Sequence, residues 1–313
     1  MMVILLSNCI FKDIGLVKRI IDMIFECSPR HTISSDQIRK ILSIEGLDSE
    51  YKEKCKVILE KETNFLIFKN KIEVVSGSPS VGQVSFDNLN EKIFLNKSIV
   101  IVENSINDVR FLKYILSVCG KQKIIEKIDI YWEVSSNGGC GQIPGLTELK
   151  ANIVGSNRVF VLHDSDRLYP QQNLSKTHTN IVHMCRQVNV AYHTLKKREP
   201  ENYILDKVLH SVFPMDEKYK EAWSSLTNAQ KSHYDYKIGF RSKSASDEVY
   251  DGLFNSLSDS QKTILKNGFG EDISELAFSS DLITEITESD IDNHCGSMMS
   301  EFKKIAESIE LLL

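Results

Sequence analysis

The sequence predicts an α/β protein built on a parallel sheet. Two observations carry that expectation. From about residue 96, short apolar runs alternate with amphipathic stretches at helical spacing, the pattern of βαβ units. The runs are also continuous rather than alternating: Ile99-Val100-Ile101-Val102 and Val159-Phe160-Val161-Leu162 read as strands covered on both faces. In order, the reading is a strand over 98–102, a helix over 107–119, a strand over 127–134 and a helix over 145–154. A strand over 159–162, a helix over 175–187 and a strand over 189–192 follow, and a further helix begins near Glu199. Beyond 206 the chain is mostly helical and polar, with scattered aromatic anchors such as Trp223 and Phe254.

Residues 1–78 read as a separate unit. Ile14, Val17, Ile20, Ile21 and Ile24 recur at helical spacing. Ser34-Ser35-Asp36 opens a second helix that Gly46 stops, and a third runs from Asp48 to about Glu62. Two apolar runs, Phe65–Phe68 and Ile72–Val75, flank Lys69-Asn70-Lys71 as a hairpin would. Three helices and a hairpin resemble a winged helix-turn-helix. Its lysines (Lys52, Lys54, Lys56, Lys69, Lys71) suit a phosphate-contacting face, but Glu50, Glu53, Glu60 and Glu62 lie among them. A protein-docking role is equally open. Residues 79–95 read as a linker, 96–205 as the α/β core and 206–313 as a helical C-terminal extension.

Composition narrows the function. The chain has 313 residues, 42% of them hydrophobic and 26% charged, and a net charge of −5. That balance argues against coating nucleic acid by bulk electrostatics, yet leaves room for a local site that meets phosphate through bound cations. The seven cysteines are scattered without a CxxC pair, which speaks against structural zinc and for a reducing cytoplasm. Met1–Leu6 is apolar but lacks a basic flank and a cleavage site, so it reads as a buried element and not a signal peptide. No apolar run reaches membrane-spanning length.

The chemistry concentrates at strand ends. Glu103 closes the first core strand, and Asp164 and Asp166 close the third, 61 residues later. In a parallel sheet both points emerge at the carboxyl edge, where sites form. Carboxylates converging there repel one another unless a divalent cation sits between them, and an all-oxygen donor set suits Mg²⁺ or Mn²⁺, one or two ions. Each acid taken alone reads as readily as a helix cap. Glu199 and Glu201 follow the fourth strand at an acid-rich helix N-terminus, where Lys196 and Arg198 also suit a phosphate, Arg by its bidentate fork. Asn137-Gly138-Gly139-Cys140-Gly141 lets a backbone approach closely, although a plain turn explains it as well.

A strand-ending Glu followed by a strand-ending Asp-x-Asp resembles the TOPRIM signature of type IA topoisomerases, bacterial primases and OLD-family nucleases. The match covers roughly residues 96–205 at the level of motifs. Asn104 stands where that signature usually has Gly. Arg198-Glu199-Pro200-Glu201-Asn202-Tyr203 is similar to a stretch in OLD-like and PARIS-type nucleases of bacterial defence. The resemblance implies a metal-dependent endonuclease using Glu103, Asp164, Asp166 and an acid after the fourth strand, Glu199 favoured over Glu201, with Lys237 as a downstream catalytic lysine. It also implies a cytoplasmic toxic effector of an anti-phage system, acting on DNA or RNA beside a separate ABC-type ATPase. A homo-oligomer stays open. The rival expectation is a non-catalytic adaptor that binds nucleic acid or a partner ATPase.

Overall fold

The computed structural model describes residues 2–27, 31–62, 70–80, 83–88, 97–129, 131–240 and 249–312. The first unit comprises β1 (Met2–Leu6), α1 (Ile14–Cys27), β2 (His31–Ile33), α2 (Ser35–Leu42), α3 (Ser49–Glu62), β3 (Asn70–Val75) and β4 (Gln83–Ser85). All three strand pairs are parallel, in the order β2-β1-β3-β4. Ile4, Leu6, Val17, Ile20, Ile21, Ile24 and Val74 close a core of their own.

The three expected helices are present, but the sheet they cover is not a wing. Residues 65–68, the first arm of the expected hairpin, lie outside the described residues. The second arm is β3, which pairs with β1 on one side and β4 on the other, both in parallel. The expected linker also begins too early, because Val84 and Phe86 are buried in this unit's core. The lysine face is partly spent in ion pairs: Lys54 reaches Asp22 and Glu50, and Lys56 reaches Glu53.

The second unit carries β5 (Ser98–Ile101), α4 (Asn107–Val118), α5 (Gln122–Ile125), β6 (Trp132–Ser135), α6 (Ile143–Val154), β7 (Val159–His163), α7 (Lys176–Gln187) and β8 (Ala191–Thr194). Its strands are parallel in the order β6-β5-β7-β8. β6 starts later than expected because the chain around Asp129 turns: Asp129 has φ 65° and Tyr131 N donates to Lys127 O. Successive side chains point to opposite faces. Ile99, Ile101, Val159 and Val161 therefore pack with α6 and α7 residues such as Leu146 and Ile181. Val100, Val102, Phe160 and Leu162 enter the other core.

That second face is covered by the C-terminal helices α8 (Asp206–Val212), α9 (Glu217–Ser224), α10 (Asn228–His233), α11 (Asp259–Ile264), α12 (Ile273–Phe278) and α13 (Glu288–Leu312). Trp223, Phe254, Phe278, Phe302 and Ile305 share one core with Val100 and Phe160. Together with α4, the helices α8 to α13 are thus the second layer of the sheet rather than an appendage to it, because that face is apolar and needs cover. Among the described residues no helix is long and apolar enough to cross a membrane.

Candidate metal centre

β5 and β7 are hydrogen-bonded neighbours, with Ile101 opposite Val161. Glu103 and Asp164 therefore leave the sheet side by side, and Asp164 N donates to Glu103 Oε1 at 3.2 Å. Asp166 follows with φ 51°, in the left-handed region. Its turn is held from the next strand's loop: Ser165 N and Asp166 N both donate to Arg198 O, and Ser165 Oγ donates to Lys197 O. The Asp166 side chain stays half exposed.

Asn104 has a local task. Its Oδ1 accepts from Ile106 N and Asn107 N, an Asx turn that swings the chain from β5 into α4. Asn104 N in turn donates to Asp108 Oδ2 at 2.8 Å. That bond brings Asp108, in the first turn of α4, back to the sheet edge beside Glu103. Sequence reasoning passed over Asp108, since an acid in a first helical turn is ordinary. Its place five residues after Glu103 was the available signal.

The third contribution comes from the loop after β8. Glu199 N donates to Asn202 Oδ1, closing a capping box over a single 3₁₀ turn, Pro200–Tyr203. Asn202 Nδ2 donates to Lys231 O and Tyr234 O, which fixes that turn to α10. Glu301 of α13 accepts from His193 Nε2, Lys196 N and Tyr203 Oη, each at 2.8 Å. Lys237 Nζ lies 3.0 Å from Glu201 Oε1 and 3.2 Å from Glu199 Oε2. Its own loop is pinned by a backbone crossing between Gly239 (φ 59°) and Gly268 (φ 63°). A Cβ on Gly268 would sit 2.6 Å from Gly239 N and 2.7 Å from Lys237 O.

These elements surround a cavity of about 550 Å³ lined by Glu103, Asp108, Asp164, Glu201, Lys237 and the Ser136–Gly139 turn. Glu201, not the favoured Glu199, lines it. Glu199 sits behind, between Arg198 and Lys237. Asp166 lies beside Glu103 but is not part of the wall. Arg198 does not reach out to a phosphate. It is buried, with Nη2 2.6 Å from Asp235 Oδ2 and Nε 2.9 Å from Glu199 Oε1, so two carboxylates already balance its charge. The Lys196 side chain is exposed.

The electrostatics are those of crowded acids. Burial, then Glu103, Asp108, Glu199 and Glu201, pushes Asp164 well above the ordinary carboxylate range. Burial raises Asp108 to about 7, against the Asn104 N–H that favours its charge. Burial also outweighs Arg198 and Lys237 at Glu199, which moves up. At Lys237 burial opposes the charge, but Glu201 and Glu199 prevail and raise it.

The donor set fits a hard divalent cation: four carboxylates facing one cavity, with Glu201 Oε2 buried and lacking a hydrogen-bond partner among the described residues. As they stand, no three His, Cys, Asp or Glu among the described residues are close enough to grip an ion. Mutually repelling carboxylates keep apart, and side-chain rotation is needed to close the set.

A pH dependence follows. Asp108 titrates near 7 when folded and near 3.8 as an ordinary Asp. Between those values the folded chain holds more protons than the unfolded one, so this group's contribution to stability falls as pH rises through the window. In EDTA, the melting temperature of the parent relative to Asp108→Asn is expected to drop between pH 5 and pH 8. A constant difference across that range would contradict the assignment.

No protein-family model, curated protein or solved structure matches this chain.

Proposed function

We propose that this chain is a metal-dependent phosphodiesterase acting on nucleic acid, with a site of the TOPRIM kind. One observation carries the reading: Glu103, Asp108, Asp164 and Glu201, from three separate segments, face a single cavity that also holds Lys237. Acids whose charge is disfavoured by burial and by one another are what a divalent cation stabilises. In this reading Glu103, Asp108, Asp164 and Glu201 hold one or two Mg²⁺ or Mn²⁺ ions, with Asp166 beside them. A cation held there would supply Lewis-acid chemistry for phosphodiester hydrolysis.

The chain's own groups do the rest. Lys237, fixed by Glu199 and Glu201, presents an ammonium where negative charge grows on the phosphate. Gly138 and Gly139, with φ 82° and 105° and open space where a Cβ would stand, let the backbone approach the substrate. The exposed Lys196 attracts the nucleic-acid backbone. The TOPRIM resemblance extends the proposal to a toxic anti-phage effector that works beside a separate ABC-type ATPase.

The test is a cleavage assay on labelled single- and double-stranded DNA and RNA. Cleavage with Mg²⁺ or Mn²⁺, abolished by excess EDTA, is expected. Cleavage that persists in EDTA, or nucleic-acid binding with no cleavage under any metal, would overturn the proposal.

A further inference from the structure

His178 lies on α7, an element that contributes no residue to the cavity wall, and is 1% exposed. Its Nε2 is buried with no hydrogen-bond partner among the described residues, and stands 3.7 Å from both Glu103 Oε1 and Asp166 Oδ2. The ring is held from two sides. It stacks on His163 with centroids 5.5 Å apart and planes 20° from parallel. Its Nδ1 is 2.9 Å from Ser175 Oγ, the N-cap of the same helix.

The hydrogen bonding at Nδ1 is compatible with a proton on Nε2, the nitrogen that faces the acids. Ser175 Oγ already accepts from His178 N, so its own hydrogen is free for Nδ1. A Nδ1 that accepts leaves the hydrogen on Nε2. Were the ring protonated, both nitrogens would carry one. In both of these forms an N–H points between two carboxylates. For His163 beneath it a backbone carbonyl decides the tautomer. Its Nδ1 faces Asp164 O, a pure acceptor, and so donates, while Nε2 accepts from Thr194 Oγ1.

We propose that His178 is a positioning residue that holds Glu103 and Asp166 in register for the cation through one shared Nε2–H. The inference rests on the metal reading above. At 3.7 Å neither contact is yet a hydrogen bond. A small rotation of either carboxylate makes one, and a buried N–H without a partner favours that rotation. Outer groups that orient ligating carboxylates typically change metal affinity about 10- to 100-fold when removed.

Two amide substitutions separate position from mere polarity. In His178→Gln the amide N–H reaches the place of Nε2. In His178→Asn it stops near Nδ1. Mn²⁺ binding is followed by the electron paramagnetic resonance signal of the free ion, with melting temperatures in EDTA recorded for all three proteins. The Gln variant is expected to bind Mn²⁺ within about three-fold of the parent, and the Asn variant about ten-fold or more weakly at an unchanged melting temperature. Equal Mn²⁺ affinities for the two variants would overturn the inference, as would an Asn loss matched by a fall in melting temperature. If the parent itself binds no Mn²⁺, the metal reading falls and this inference with it. Parent binding with indistinguishable variants sinks the inference alone.

Discussion

Asp164→Asn and Glu103→Gln are each expected to cut Mg²⁺-dependent cleavage by roughly a thousand-fold, which is about 4 kcal/mol of barrier. Both swaps keep the shape and an acceptor oxygen. In Glu103→Gln the amide oxygen can still receive the Asp164 N–H that Glu103 Oε1 receives now. What each swap removes is a negative charge from a crowded set. In metal-free buffer at pH 8 that removal relieves repulsion, most of all at Asp164, whose charged form burial and four neighbouring acids oppose. Melting temperatures in EDTA should therefore equal or exceed the parent's. A less stable but fully active Asp164→Asn would mean that the acid is a structural cap.

The second large effect is on stability. Arg198→Met removes the cation between two buried carboxylates, Asp235 and Glu199. Breaking one partner of a buried ion network leaves an uncompensated charge, at about 3–5 kcal/mol. For a chain of this size that corresponds to a melting temperature lower by roughly 10 °C. Lys196→Ala, two residues earlier and exposed, should change stability by less than about 0.5 kcal/mol. Calorimetry on both variants at pH 7 reads the contrast. An Arg198→Met protein of parental stability that has lost nucleic-acid affinity would return Arg198 to the role of phosphate contact.

The second sheet was legible because its central strands, β5 and β7, are buried on both faces, which forces unbroken apolar runs such as 99–102 and 159–162. Glu103 and Asp164 follow those runs directly, so their meeting was legible too. The first sheet was not. Residues 70–75 are equally good as a hairpin arm or as a parallel strand, and only the pairing with Met2–Leu6, far away in the chain, decides. Nothing local announces such a partner. Glu199 and Glu201 are indistinguishable by composition, and the capping box with Asn202 is what turns Glu201 to the cavity. His178 reaches the acids through the packing of α7 against the sheet, a relation between elements that no spacing records.

The three bonds that end on Glu301 have a consequence for the order of synthesis. His193, Lys196 and Tyr203 are made 98 to 108 residues before the carboxylate that ties them down. At ordinary ribosomal speeds of about 5–20 residues per second, that is a delay of roughly 5 to 20 s. Through that interval the loop bearing Glu199 and Glu201 lacks its anchor, and one face of the sheet lacks its cover. The loop that carries Glu199 and Glu201 is therefore held in place only once α13 has emerged and docked.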